Sequence, residues 1–282
     1  MTTVADLLRE VRGILEEAGI DNATREAEWL LEAATSKQTS EMIAASDQEI
    51  SEMTAHRALK LASRRAAGEP LQYLTGVAGF RYLQLKVGPG VFIPRPETEL
   101  VAARAMSRLP DGGSLADIGT GSGAIALAVA TERPHARVWA TERSPIAMEW
   151  ARRNRDELDA AVTLIRGNLF EGLPAELEGA LDVVVSNPPY VADADAHLLG
   201  EDVRDHEPHE ALFAGLEGLL LVEVIASEAR RWLRDGGWLV MEIGYDQANK
   251  VADLLARLDY SDVDVSQDLA HKDRIVEARW PG

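Results

Sequence analysis

The 282-residue sequence predicts an open, doubly wound α/β sheet of seven strands preceded by a small helical bundle, and three observations carry that prediction. From Ser114 onward, short runs rich in Val, Ile and Leu alternate with helical stretches, the pattern of strands joined by right-handed crossovers. Up to about residue 67 the apolar spacing is helical throughout. Between these regions lies a segment rich in Gly and Pro, in which Leu83, Leu85 and Val87 alternate as in a strand.

Taken in order, Val4, Leu7, Leu8, Val11, Ile14 and Leu15 recur on one helical face behind a Thr3 cap, and Gly19 is placed to end that helix. "REAEWLLEAA", "SEMIAAS" and "SEMTAHRALKLASRRAAG" continue the bundle, which sets a first domain at residues 1–67. "GEPLQYLTG" and "FRYLQLKVGPGVFIPRPETEL" read as a hairpin linker, 68–96, and residues 97–282 as the sheet domain. Its strands are "SLADIG", "RVWATE", "VTLIRGN", "LDVVVSN", "GGWLVMEIG", "DVDVSQ" and "RIVEARW". Helices fall at "GAIALAVATER", "PIAMEWARRNRDEL", "GLLLVEVIASEARRWLRD" and "ANKVADLLARL". The last two strands have no helix between them, so one is expected to run antiparallel at the end of the sheet.

Composition narrows the function classes. The formal net charge of −18 opposes a surface that grips nucleic acid by neutralising phosphates and favours a basic or small neutral partner. With no cysteine there is no disulfide, thiolate nucleophile or Cys-ligated metal. The opening "MTTVADLLREVRG" lacks the apolar core of a signal peptide, and no run approaches the ~20 apolar residues of a membrane span. A cytoplasmic protein without membrane anchor is expected.

"LADIGTGSGAIAL" places Gly119, Thr120, Gly121, Ser122 and Gly123 on the turn from the first sheet strand into its helix, where glycines let backbone approach a ligand. Glu142 ends the next strand at about the offset where an acidic side chain meets ribose hydroxyls. The G-x-G-x-G spacing differs from the dinucleotide fingerprint and no P-loop lysine follows, which favours S-adenosylmethionine over NAD or ATP. Asn168 ends the third strand in "RGNLF". A short polar side chain there either meets an adenine, with Leu169 on its face, or makes a plain turn.

"VVSNPPYV" runs the fourth strand into Asn187, Pro188, Pro189 and Tyr190 at the same sheet edge. The two prolines fix the backbone and hold its carbonyls. An amide or adenine NH₂ is a poor nucleophile because its lone pair is delocalised. Two acceptors, the Asn187 side-chain oxygen and the Pro188 carbonyl, would orient such a group and stabilise its developing charge, with Tyr190 as an aromatic wall.

With "GEPLQYLTG", "FIPRPETEL", "ADIGTGSGAIAL", "VSNPPYV", "EPHEALFAGLEGL", "MEIGYDQ" and "DRIVEAR" in hand, the chain resembles the HemK/PrmC protein-(glutamine-N5) methyltransferases over nearly its whole length. The resemblance implies a class I S-adenosylmethionine-dependent methyltransferase, Rossmann-like, acting on the glutamine of the Gly-Gly-Gln loop of peptide chain release factors. It sets the cofactor against Gly119–Gly123, Glu142, Asn168, Leu169 and Asn187, and the glutamine against Asn187, Pro188, Pro189 and Tyr190. It brings Phe92, Ile93, Pro94 and Arg95 near the cofactor end of the pocket, with Glu97 and Thr98 in its wall, and gives the helical domain the recognition of the release factor. Glu142 and Asn168 each stand where the family has a frequent Asp.

"DHEPHE" (205–210) lacks the spacing of a helical metal-ligand pair and reads as a polar loop, so no metal is expected. Arg64, Arg65, Arg152 and Arg153 read as solvated faces, and "GLLLVEVIA" as a sheet-covering helix. An adenine-N6 nucleic-acid methyltransferase shares the Asn-Pro-Pro-Tyr logic, but the charge opposes it. A ribosomal-protein glutamine methyltransferase differs in the "FIPRPETEL" stretch, and a non-enzymatic nucleotide-binding module leaves the tetrapeptide unexplained.

Overall fold

The computed structural model describes residues 2–215 and 218–282; Leu216 and Glu217 of the "EPHEALFAGLEGL" stretch lie outside the described residues. The chain forms two compact units. One comprises the chain up to Val77 with Val87–Pro89 and Gly200–His206; the other comprises Ala78–Lys86, Gly90–Leu199 and Glu207–Gly282.

The first unit is built on α1 (Val4–Glu17), α2 (Ala23–Thr35), α3 (Thr39–Ala44), α4 (Glu52–Ala66) and α5 (Leu71–Thr75). The Thr3 hydroxyl accepts from the Asp6 N–H while the Asp6 carboxylate accepts from the Thr3 N–H, a reciprocal cap that satisfies two donors at the start of α1. Gly19 takes a left-handed φ of 75° just past the end of α1. Leu7, Val11 and Leu15 of α1 meet Leu30 and Leu31 of α2, Leu61 of α4, and Leu71 and Leu74 of α5. Two readings change. "GEPLQYLTG" supplies α5, whose apolar side chains join this core, rather than the start of the hairpin. Arg65 is not a solvated side chain: its Nε donates to Glu26 at 2.6 Å across α2 and α4, both side chains being largely buried.

β1 (Val77–Phe80) and β2 (Leu83–Lys86) pair as a separate hairpin. Then follow α6 (Pro96–Arg108), β3 (Ser114–Ile118), α7 (Ala124–Glu132), β4 (Arg137–Glu142), α8 (Pro145–Leu158), β5 (Val162–Arg166) and β6 (Leu181–Ser186). The chain continues through α9 (Glu201–His206), α10 (His209–Leu212), α11 (Leu220–Trp232), β7 (Leu233–Glu242), α12 (Ala248–Arg257), β8 (Ser261–Gln267) and β9 (Asp273–Arg279).

The sheet order is β5-β4-β3-β6-β7-β9-β8. β3 to β7 are parallel, and β9 is antiparallel to both neighbours. The antiparallel strand is therefore next to last. β9 folds back from β8 and inserts beside β7, leaving the more polar β8 as the edge.

β3 and β6 are buried on both faces, as central parallel strands must be. Leu115, Val183 and Val185 point to the face covered by α6 and α7; Ala116, Ile118 and Val184 point to the face covered by α11 and α12. This arrangement leaves the carboxyl ends of β3 to β7 on one rim, where open α/β sheets bind ligands. Among the described residues, no helix is long and apolar enough to cross a membrane.

Candidate active site

The glycine turn begins where β3 ends. Gly119, Gly121 and Gly123 have φ of 74°, 60° and 90°, a left-handed path that residues with a Cβ adopt at a cost. The turn is pinned from below: the N–H groups of Gly119 and Thr120 both donate to the Thr141 carbonyl, and that of Gly121 donates to Glu142 Oε2 at 2.9 Å. Glu142 Oε1 accepts from the Ser144 N–H at 2.7 Å. One buried carboxylate thus couples the glycine turn to the start of α8.

Asp117 does similar work inside the turn. Its Oδ2 accepts from Thr120 Oγ1 at 2.6 Å and from the Ala126 N–H at 3.1 Å. Burial pushes its carboxyl up to about 7, against the lowering effect of those two hydrogen bonds. A Cβ built on Gly119 or Gly121 would meet nothing within 4 Å, so bare backbone faces open space. Gly123 differs: its Cβ would sit 2.8 Å from Leu127 Cδ1, so this glycine serves close packing of the helix. Such a backbone cradle beside a carboxylate fits the S-adenosylmethionine expected from the G-x-G-x-G spacing.

Past β5, Asn168 is exposed and Leu169 sits at a φ of 51°, unusual for a branched side chain. Leu169 packs against the apolar cluster on the α11 and α12 face of the sheet. Both residues lie on the expected rim.

Asn187 leaves β6, and its side chain joins a chain of hydrogen bonds. Its Nδ2 donates to Thr98 Oγ1 at 3.1 Å, and the Thr98 hydroxyl donates to Glu242 Oε2 at 2.6 Å. Tyr190 OH donates to the other oxygen, Glu242 Oε1, at 3.1 Å. The Tyr190 carbonyl accepts from Gln247 Nε2 at 3.0 Å, which fixes the far end of the tetrapeptide. Burial raises the Glu242 carboxyl to about 7 and raises the Tyr190 phenol above its ordinary range. The Pro188 carbonyl and Asn187 Oδ1 accept no hydrogen bond among the described residues. Two unfilled acceptors on adjacent residues suit a group with two N–H donors.

Phe92 and Arg95 pair with each other, the guanidinium lying 4.9 Å from the ring centroid, and Arg95 donates to Glu207. Glu207 also accepts from the Ile93 N–H at 3.1 Å, so this buried carboxylate holds the "FIPR" turn that leads into α6 and Thr98. The turn reaches the tetrapeptide through Thr98; Phe92 and Arg95 make no hydrogen bond to it.

Asp117, Glu242, Glu207 and Gln247 have no role assigned from the sequence. Glu242 carries a readable signal, since it closes an apolar strand with an acid, and the register pairing Ser186 with Met241 puts it level with Asn187. Glu207 was hidden among the polar residues of "DHEPHE". Among the described residues, no group of three or more His, Asp or Glu is placed to hold a metal.

Comparison with known proteins places these features in context. The model of the PrmC N-terminal domain matches residues 6–76, and that of the methyltransferase small domain matches residues 84–203. The release factor glutamine methyltransferase of Geobacter sulfurreducens is 39% identical over 277 residues, covering 98% of this chain and 96% of that protein. The protein of the same name from Burkholderia pseudomallei is 42% identical over 266 residues, covering 91% and 92%. Among solved structures, a methyltransferase from Pyrococcus furiosus aligns with a TM-score of 0.54 at 21% identity, covering 81% of this chain and 99% of its own. That likeness shows the fold.

Proposed function

The chain belongs to the release factor glutamine methyltransferase family, and on that premise we propose that it transfers a methyl group from S-adenosylmethionine to the side-chain N5 of the glutamine in the Gly-Gly-Gln motif of peptide chain release factors. One observation carries the choice of group: the Asn187 amide is held with its nitrogen on Thr98, which leaves Oδ1 and the Pro188 carbonyl as a pair of acceptors. Both hydrogens of an NH₂ group are needed to fill that pair, and family membership favours a glutamine amide over an adenine as its bearer.

Gly119 to Gly123 receive the cofactor against backbone, the outer lone pairs of Glu142 accept from ribose hydroxyls, and Leu169 with Asn168 borders the adenine. When bound, S-adenosylmethionine supplies an electrophilic methyl group. Asn187 Oδ1 and the Pro188 carbonyl each accept one N–H of the glutamine amide, which fixes the nitrogen's orientation toward the glycine turn. The same two oxygens stabilise positive charge developing on that nitrogen, and the proton leaves afterwards to solvent. Tyr190 and Pro189 wall the pocket, and Phe92 and Arg95 lie near its cofactor end. The helical unit recognises the body of the release factor, and the reaction takes place in the cytoplasm, where release factors act.

The test is transfer of labelled methyl groups to a purified release factor, to its Gln→Asn loop variant and to DNA. Label on the glutamine alone is the expected result. Label on DNA alone overturns the reading in favour of an adenine substrate, which the net charge of −18 opposes; label on the Asn variant removes the glutamine specificity.

A further inference from the structure

The hydrogen-bond chain from Glu242 to Asn187 has a direction. A threonine hydroxyl carries one proton, and with Glu242 ionised that of Thr98 is committed to Oε2 at 2.6 Å. Toward Asn187 the same oxygen offers only lone pairs. The atom of Asn187 facing it, at 3.1 Å, must therefore be the NH₂ group. An isolated asparagine turns its amide either way at little cost. Here the wrong orientation would set two oxygens against each other while the amide NH₂ turned toward the pocket.

We infer that Glu242 is a positioning residue for the transfer: acting through Thr98, it sets the Asn187 amide so that an acceptor, not a donor, meets the substrate. Glu242 lies on β7 and Thr98 on α6, 144 positions apart in sequence. Glu242 holds Tyr190 as well, through Oε1, so one buried carboxylate orients both ends of the tetrapeptide. The groups around it are the Thr98 and Tyr190 hydroxyls, the Arg274 guanidinium and the Glu97 carboxylate. None of this set lies on the glycine turn, which is held separately by Asp117, the Thr141 carbonyl and Glu142. The consequence for catalysis rests on the glutamine reading above; the orientation of the amide does not.

Two readouts separate these. In ¹⁵N-labelled enzyme without substrate, one Asn187 side-chain amide proton is protected by Thr98, and in Thr98→Val it exchanges about tenfold faster. With release factor, Thr98→Val lowers kcat about tenfold or more, while affinity for S-adenosylmethionine stays within about twofold. Thr98→Ser returns the hydroxyl and recovers most of both losses. In the Asn187→Ala background the added cost of Thr98→Val on kcat disappears, whereas a merely structural role of Thr98 would add its full cost again. Glu242→Leu, which frees the Thr98 proton to turn the amide, reproduces the Thr98→Val pattern; should that variant not fold, the Thr98 series decides.

Unchanged Asn187 exchange in Thr98→Val, or additive costs in the double variant, overturns the relay. A wild-type enzyme that leaves the release factor glutamine unlabelled overturns the substrate reading instead, and the amide exchange still decides the relay.

Discussion

Ser186 Oγ donates to the Ile118 carbonyl at 2.7 Å, joining the last residue of β6 to the last residue of β3. Gly119 follows one of these residues and Asn187 the other. A buried hydroxyl thus extends the β3–β6 ladder to the point where the glycine turn and the tetrapeptide begin, the two parts that must hold methyl donor and acceptor in register. Ser186→Ala leaves the Ile118 carbonyl without that donor and costs about 1 kcal/mol of stability, seen as a drop of about 2–4 °C in melting temperature. Methyl transfer falls further than the affinity for either ligand alone, because the distance between the two sites is what loosens. An unchanged kcat beside the expected melting shift would remove the spacing role.

Gly121 and Gly123 sit two residues apart and make opposite demands. At Gly121 a Cβ enters open space over the turn, with strain of about 1 kcal/mol from its φ of 60°. Gly121→Ala should therefore fold with a modestly lower melting temperature and lose S-adenosylmethionine binding by calorimetry. At Gly123 the added Cβ meets Leu127 at 2.8 Å. Gly123→Ala should lose stability first, with binding following only as the fold fails.

What the sequence displayed and what it hid divide by distance along the chain. The glycine turn, Glu142 and the tetrapeptide are local: each is a strand end followed by a turn, and adjacency on the parallel sheet follows from the alternation of strands and helices. The hydrogen bonds that orient them span long separations, Thr98 to Glu242 and Arg95 to Glu207, and their residue types carry no pattern until the sheet order is known. The missing helix after β8 predicted an antiparallel pair. Which member took the outer edge depended on whether β9 paired with β7, and that rests on burial of Ile275 and Val276 against the sheet core. Arg65 looked solvated for the same reason: Glu26, its partner, lies on another helix.

Two buried carboxyls link stability to pH. Asp117, with Glu142 as a like-charged neighbour, and Glu242, beside Tyr190, Arg274 and Glu97, both titrate at about 7, well above the ordinary carboxyl range, chiefly because burial disfavours their charged forms. The folded state keeps these protons where the unfolded chain has released them. Stability is fully supported below about pH 4 for these groups and is lost as pH rises toward 7, by at most about 1.4 kcal/mol per pH unit for each. Melting temperature should thus fall from pH 5 to pH 7.5. Asp117→Asn, which replaces the unpartnered Oδ1 by an uncharged group and keeps an oxygen for Thr120, should flatten that slope. A wild-type slope in the variant would place the pH dependence elsewhere.

Glu207 holds the "FIPR" turn by two bonds, from the Ile93 N–H and from Arg95. Glu207→Ala strands a buried N–H and releases the guanidinium, at a cost of about 2–3 kcal/mol. Since this turn leads into α6 and Thr98, glutamine methylation should fall while S-adenosylmethionine binding is retained. Equal loss of both would mean that the turn supports the whole sheet rim.

Tyr190 offers two separable properties, a ring and a hydroxyl. Its hydroxyl is spent on Glu242 Oε1 at 3.1 Å, which leaves the ring as the part offered to a substrate. If the ring walls the pocket, Tyr190→Phe keeps that wall and loses only the hydrogen bond, about 1 kcal/mol of stability, with KM for the release factor near the wild-type value. Tyr190→Ala removes the wall, frees the glutamine side chain to rotate, and lowers kcat by at least about tenfold more than Tyr190→Phe does. Equal losses in the two variants would move the function of Tyr190 from ring to hydroxyl and make Glu242 its partner in the chemistry.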